Sequence, residues 1–198
     1  EYHLGSNTWH ILYAPDGGNP GEHKAAYFLT SRTLVRDPDK ELGEKQRDQI
    51  AAYKAWWEEN VIFRGGHLCT KRGGPIMPAH TWDAFTYDPN TGRLLWGMGA
   101  SPAGQLSTHA YFTGKPIEHW EKLADPAYTP MWMFDTKERK WLHYRTDEKC
   151  AALRGMGATM CYLPDRKQVI CYVAAQNISP EAYEMWLFDV EKDEWTEL

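Results

Sequence analysis

Two segments of the chain share a pattern of alternating apolar and polar positions that ends in a charged turn. Residues 131–141 read MWMFDTKERKW and residues 185–195 read MWLFDVEKDEW. Alternation with a period of two predicts a half-buried strand, and Asp favours turn starts because its carboxylate accepts backbone N–H groups. Each segment is therefore predicted to form a β-hairpin. The pairs Trp132/Trp186, Phe134/Phe188, Asp135/Asp189 and Trp141/Trp195 all recur with a single offset of 54 residues.

A second hairpin is predicted before each of these. It spans residues 80–99 in the first repeat and 155–174 in the second repeat, where Tyr162 and Pro164 match Tyr87 and Pro89. In the first repeat the sequence Asp-Pro-Asn-Thr-Gly suits a turn, because Pro presets φ and Gly accepts a positive φ. Each repeat then contains four antiparallel strands, and a period of about 50 residues built from four strands is typical of a propeller blade.

The Tyr/Phe-Asp-x5-Trp hairpin that follows a strand pair resembles the kelch repeat, which is also found in the central domain of galactose-oxidase-like proteins. The resemblance covers residues 80–198 and reaches back to Asn7-Thr8-Trp9. It implies an all-β fold of antiparallel four-stranded β-propeller blades, here two full blades plus one extra strand. Kelch blades usually carry a Gly pair after the second strand, whereas this chain has Gly97 and Gly99 in one blade and Val173-Ala174-Ala175 in the other.

The repeat divides the chain into four predicted parts. Residues 1–13 form the last strand of a preceding blade and residues 14–79 an insertion, while residues 80–146 and 147–198 form the two full blades. Two and a quarter blades cannot close a ring, since propellers typically contain about four to eight. We therefore expect further blades in the same chain, or other copies of it, to complete the ring.

The insertion holds the strongest helix signal, EKQRDQIAAYKAWWEEN at residues 44–60. Ile50, Tyr53 and Trp57 fall at helical spacing and form an apolar stripe. Residues 15–23 are predicted to be a loop because they are rich in Pro and Gly.

Strict alternation of strand direction predicts that the short turns share one side of the blades, which we call the turn side. The long connections then share the opposite side, the loop side. Since functional residues tend to lie on such loops over a rigid scaffold, the loop side is expected to carry the function, with helix 44–60 packed on it. The short turns are residues 88–92, 136–140, 163–167 and 190–194, and the long connections are residues 14–79, 100–129 and 175–183.

Composition narrows the classes of partner. The formal net charge of −5 over 198 residues argues against nucleic acid or an anionic membrane as the default partner. No apolar run approaches the roughly 20 residues of a membrane helix. Aromatic residues make up 14% of the chain, with ten Trp, which suits twisted sheets because flat rings pack well on them.

A candidate ligand site lies at the mouth of the predicted channel. The first strand of each blade lines the channel, which places His80, Trp82 and Asp83 at the mouth in the first blade and Arg154 at the equivalent place in the second. This set is suited to bind a polar or anionic small molecule, and His80 with Asp83 are candidates for acid–base catalysis. The alternative is that Asp83 and Arg154 form an ordinary ion pair between blades.

Other side chains are candidates for ligand contact outside the channel. Trp56, Trp120 and Tyr111 are the candidates for stacking on a glycan, and Trp56 is also a candidate for contacting a partner. Imidazoles suit Zn, Cu and Fe, which makes His67, His80 and His109 the candidate ligands of a metal site, although no HxH or HExxH spacing supports one.

The copper chemistry implied by the galactose-oxidase resemblance is not carried over to this chain. The copper ligands and the tyrosyl-cysteine cofactor of those enzymes cannot be placed on this sequence. A fold does not carry the chemistry of its relatives, so no cofactor is expected.

The cysteines bear on cellular location. Cys69 and Cys150 both lie in loop-side connections, so a disulfide between them is expected to tie the insertion to the second blade. Cys161 and Cys171 lie near cross-strand register around the turn at residues 163–167. A disulfide favours a secreted or periplasmic location over a cytoplasmic one.

Three functions are consistent with these features. The first is a binding module that recognises a protein or a glycan with its loop side, as kelch-like propellers commonly do. The second is an enzyme at the channel mouth that acts on a carbohydrate or a related polar metabolite, and the third is a structural segment of a larger assembly. The sequence contains no catalytic motif with its own spacing, so it favours the binding module and leaves catalysis undecided.

Overall fold

The computed structural model describes residues 2–3, 5–6, 8–9, 20–64, 67–76, 84–97, 102–118, 131–143, 159–174 and 183–198. Within these ranges the chain is mostly β, with antiparallel sheets of two, four, two and four strands and few helices. The chain divides into two compact units, Glu1–Asn60 and Val61–Leu198.

The first unit contains a short hairpin and a pair of α-helices. β1 (Tyr2–His3) pairs with β2 (Thr8–Trp9), so the strand expected at Asn7-Thr8-Trp9 belongs to a hairpin. α1 (Pro20–Leu29) leads directly into a π-helix, Thr30–Leu34. The loop predicted for residues 15–23 is therefore wrong from Pro20 onward. Pro suits the first position of a helix, because its φ is already helical and no N–H is needed there.

α2 (Glu44–Asn60) confirms the predicted helix at both ends. Its N-terminus is fixed at Gly43, whose carbonyl accepts hydrogen bonds from the N–H groups of Gln46 and Arg47. The N–H of Gly43 donates to Oε1 of Gln46 at 3.1 Å, as in a capping box. Tyr53 and Trp57 of the predicted stripe are buried.

The second unit begins with a hairpin and continues with two four-stranded sheets. The hairpin pairs β3 (Val61–Arg64) with β4 (His67–Thr70). In both large sheets consecutive strands are neighbours, which confirms the four-stranded antiparallel arrangement predicted for each repeat. The first sheet contains β5 (Phe85–Asp88), β6 (Arg93–Gly97), β7 (Met131–Asp135) and β8 (Lys140–His143); the second contains β9 (Thr159–Leu163), β10 (Gln168–Ala174), β11 (Tyr183–Asp189) and β12 (Glu194–Glu197).

The short turns that connect paired strands in the two large sheets share one backbone geometry. Four residues separate the paired strand ends, and the last of the four adopts a left-handed conformation in every turn: Gly92 at φ 73°, Arg139 at 54°, Lys167 at 54° and Asp193 at 59°. Asp residues at the turn starts accept backbone hydrogen bonds, as predicted. Asp135 Oδ1 accepts from the N–H groups of Lys137 and Glu138 at 2.9 and 2.8 Å, and these bonds hold the pKa of Asp135 below its ordinary value.

The repeated aromatic residues meet across the strands. Phe134 is the register partner of Trp141, and Phe188 is the partner of Trp195. Their ring centroids lie 5.3 Å apart in the first pair and 4.4 Å apart in the second. Cross-strand aromatic pairs of this kind stabilise a sheet, so the sequence repeat corresponds to a repeated packing unit.

Candidate functional site

The turns of the two sheets lie together on one side of the second unit. Asn90 Nδ2 in the first sheet donates to Glu191 Oε2 in a turn of the second at 3.3 Å. A guanidinium N–H of Arg93 donates to the carbonyl of Val190 at 2.9 Å. Because strands alternate in direction, the connections that follow β6, β8 and β10 leave from the opposite side. The strand order therefore places the four short turns on one side of the two sheets, as predicted. The loop-side position expected for residues 14–79 stays a prediction.

α3 (Pro102–Thr113) lies in the loop-side connection between β6 and β7, where the sequence predicts no helix. Leu106, Thr108 and Phe112 are buried, whereas Tyr111 is 37% exposed. His109 on this helix is half-buried, and burial lowers its pKa from the ordinary value. Tyr111 is therefore an exposed aromatic ring in the connection between β6 and β7.

The residues predicted for the channel mouth lie outside the described residues. This applies to His80, Trp82, Asp83 and Arg154, and also to Trp120. The channel-mouth site therefore stays a prediction.

Trp56 lies within a cluster of rings in the first unit. It stacks on Tyr53 with 5.7 Å between centroids and 9° between planes. The ring of His23 from α1 lies 4.7 Å from Trp56 and 5.2 Å from Tyr53. Burial raises the pKa of Tyr53, and burial also raises the pKa of Tyr27, to about 12. Trp56, predicted as a ligand contact, is half-buried and packs α2 against α1.

The histidines proposed as metal ligands are only partly described. His67 is buried in β4 and His109 lies on α3, while His80 is outside the described ranges. Among the residues that the structure describes, no group of three or more His, Cys, Asp or Glu side chains could hold a metal ion.

The cysteines differ from the sequence-based expectation. Cys69 is a buried free thiol, so its predicted disulfide with Cys150, which lies outside the described residues, is not formed in the structure. Cys161 pairs with Ile170 and Cys171 with Met160, so the two thiols are offset by one position. An offset of one places side chains on opposite faces of a sheet, which leaves Cys161 exposed and Cys171 buried.

Each large sheet has two unlike faces, which we name for their side chains. The aromatic face holds Trp96, Trp132, Phe134 and Trp141 in the first sheet and Trp186, Phe188 and Trp195 in the second. The methionine face holds Leu95, Met131, Met133 and Leu142 in the first sheet and Cys161, Ile170, Met185 and Leu187 in the second.

The sheets pack with unlike faces together. One core joins Leu95, Met131 and Met133 of the first methionine face to Phe188 of the second aromatic face, with Trp186 and Trp195 packed at its margin. The aromatic face of the first sheet is covered differently. Cys69 and Ile62 of the β3–β4 hairpin pack on its tryptophans, and burial raises the pKa of Cys69.

The methionine face of the second sheet, which the sequence alone does not single out, is only partly exposed, since Leu187 on it is 6% exposed. Met185 is 45% exposed, whereas Met131, the equivalent residue of the first sheet, is 0% exposed. Cys161 on the same face is also exposed. The signal was present in the 54-residue offset that relates Met131 to Met185, but only the packing of the sheets shows which copy is buried.

Comparison with known proteins leaves the family open. Scans against protein-family models, the curated proteins and the solved structures found no match. No helix among the described residues has both the length and the apolar character that crossing a membrane requires.

Proposed function

We propose that the two sheets are neighbouring blades of a kelch-type β-propeller, and that the chain is a binding module which recognises a protein or a glycan with its loop side. The observation that supports this proposal is the sidedness of the second unit. The strand order places the four short turns on one side. The hydrogen bonds Asn90–Glu191 and Arg93–Val190 join the β5–β6 hairpin to the β11–β12 turn on that side. The long connections leave from the other side.

The sheets supply a rigid platform for such a module. Their shared core contains Leu95, Val169, Cys171 and Phe188, all 0% exposed, and well-packed cores of this kind hold a single arrangement. Loops over a rigid scaffold are the usual place for recognition. On the loop side, Tyr111 offers an aromatic ring of the type that is enriched at binding surfaces.

The proposal is tested by photo-crosslinking from matched positions together with a glycan array. A benzophenone amino acid is introduced at Tyr111 on the loop side or at Lys137, an exposed residue of a turn-side loop. We expect the loop-side probe to capture a partner that the turn-side probe does not. If a glycan is bound instead, Tyr111→Ala should weaken array binding while Lys137→Ala leaves it unchanged. Equal capture or equal loss from both sides would refute the proposal.

A structural role in a larger assembly is the second candidate, favoured by the partly exposed methionine face of the second sheet, on which Met185 and Cys161 are exposed. Assembly would bury Met185 and Cys161 without using the loop side. Catalysis at the channel mouth stays an untested alternative, because His80 and Asp83 lie outside the described residues.

A further inference from the structure

The loop that follows β4 is closed on itself by hydrogen bonds. The N–H of Thr70 donates to the carbonyl of Gly74 at 2.9 Å, and the N–H of Gly73 donates to the carbonyl of Thr70 at 2.7 Å. The N–H of Gly74 donates to Oγ1 of Thr70 at 3.2 Å. Lys71 and Arg72 are exposed, whereas the other three residues are buried. We call residues 70–74 the basic loop, because it presents two cationic side chains from a backbone that its own bonds hold in place.

A third cation, Arg64 of β3, lies against the basic loop. Gly73 has a φ of 89°, and a Cβ added there would lie 2.6 Å from Nη2 of Arg64. The guanidinium of Arg64 also donates a hydrogen bond to the sulfur of Cys69, which holds it beside the loop. Arg64 is exposed and a guanidinium carries five N–H donors in a rigid fork. Its contact with Cys69 therefore leaves donors for a ligand.

The basic loop also packs on the first sheet. A Cβ added at Gly74 would lie 2.6 Å from Nε1 of Trp141, and one added at Gly73 would lie 3.6 Å from the carbonyl oxygen of Trp141. Trp141 belongs to β8, the strand at one edge of that sheet. A loop that is already ordered loses less entropy when it binds a partner. The three cations are therefore presented by a prearranged surface.

The charge of this segment is opposite to that of the whole chain. Residues 60–82 contain no Asp or Glu, whereas the formal net charge of the chain is −5. Charges more than about 8 Å away are largely screened at physiological ionic strength, so the local attraction for an anion persists. A short acidic ligand can end where the cations end. A long polyanion would continue onto the remainder of a chain whose net charge is negative, which favours the short ligand.

We propose that the basic loop and Arg64 bind a short acidic segment of a protein partner. Arginine forms bidentate hydrogen bonds with carboxylates, and clusters of arginine are a recurring means of recognising acidic motifs. This surface uses neither Tyr111 nor α3, so it is a second contact that goes beyond the proposed function.

The test measures binding of a short dye-labelled peptide of alternating Asp and Glu to the full chain, by fluorescence anisotropy at low ionic strength. Lys71→Gln combined with Arg72→Gln should weaken binding by about tenfold or more, because hydrogen bonds between charged groups are the strong ones. Arg64→Lys should also weaken binding although it keeps the charge, because an ammonium cannot form the bidentate contact. Urea midpoints should match that of the natural chain, since all three side chains are exposed.

The turn between β9 and β10 offers a matched control. Arg166 and Lys167 are an exposed basic pair there, and Arg166→Gln combined with Lys167→Gln removes the same charge from the chain. This control should leave the affinity for the peptide nearly unchanged. Tyr111→Ala should leave it unchanged as well, so this inference and the proposed loop-side recognition succeed or fail separately.

Three results would overturn the inference. The first is the absence of peptide binding at low ionic strength. The second is an equal loss of affinity from the two Gln pairs, or no loss from Arg64→Lys, because binding would then depend on net charge alone. The third is tighter binding of a heparin-derived oligosaccharide of the same charge, with the same dependence on Lys71 and Arg72, because the surface would then be selective for a sulfated glycan.

Discussion

Met131 and Met185 provide a quantitative test of how the sheets pack, because the repeat places them at equivalent positions. Met131 is 0% exposed and Met185 is 45% exposed. Truncating a buried Met to Ala costs about 2–5 kcal/mol, since a cavity is added to the lost transfer free energy. We expect Met131→Ala to lower the free energy of unfolding by about 3 kcal/mol, near the middle of that range.

Met185→Ala should cost much less. Complete burial of a Met side chain is worth about 1.5–3 kcal/mol, and this side chain already leaves nearly half of its surface in water. Solvent can fill the space that truncation opens, so no cavity term is added. The expected loss is about 1 kcal/mol.

The assay is urea denaturation of both variants, followed by Trp fluorescence and by circular dichroism. The midpoint is compared at constant m-value, because an unchanged m-value identifies a change in stability alone. Two probes are needed because the two compact units need not unfold together. Equal losses at Met131 and Met185 would refute the view that the second sheet buries Met131 while Met185 on its own methionine face stays exposed to solvent.

Three further predictions concern a close approach, a turn and a carboxylate. A Cβ at Gly74 would lie 2.6 Å from Trp141 Nε1, so Gly74→Ala should lower the free energy of unfolding by about 1–3 kcal/mol through overpacking. In a Trp141→Leu background most of this loss should disappear. An unchanged loss in that background would contradict the steric explanation. Arg139 has a φ of 54°, so Arg139→Gly should raise the free energy of unfolding, while Gly92→Ala should lower it by about 1 kcal/mol. Changes of the same sign would show that turn conformation is not the cause. Because the pKa of Asp135 is lowered in the folded protein, its carboxylate stabilises the fold at pH values above the unfolded carboxyl pKa of about 3.9, and this stability is lost as pH falls through the folded pKa. Asp135→Asn should therefore lower the unfolding midpoint at pH 7, and the difference from the natural chain should shrink in acid. A difference that does not depend on pH would refute a charge effect.

The two large sheets were predictable because three independent signals in the sequence point to the same strands and turns. Trp132, Phe134 and Asp135 combine strand alternation, a cross-strand aromatic partner and a turn-starting carboxylate, and the 54-residue offset repeats all three. Consecutive hairpins need only local contacts, so the strand order followed from the turns. α2 was predictable for a similar reason, since its apolar stripe and its Ala content both favour helix.

The remaining elements depend on contacts that no local pattern encodes. The β3–β4 hairpin is a single copy without a partner at the repeat offset, and its role depends on Cys69 reaching Trp132 across the fold. Cys69 was assigned to a disulfide from its place in a connection, but the tryptophan face buries it instead. Only the strand register shows that Cys161 and Cys171 lie on opposite faces of the sheet, because a shift of one position exchanges the two faces.

The two hydrogen bonds that join the turns differ in what they require of the sequence. Arg93 donates to the main-chain carbonyl of Val190, and every residue type at that position supplies the same acceptor. Asn90 donates to the side chain of Glu191, so this bond exists only while that residue can accept. Substitution at Val190 should therefore keep this hydrogen bond, although the Val190 side chain is 1% exposed in the core between the sheets and its loss would change their packing. At position 191, in contrast, a substitution removes the hydrogen bond itself, and Glu191 is exposed, so a sequence change there can alter which sheet is accepted as a neighbour without opening the core.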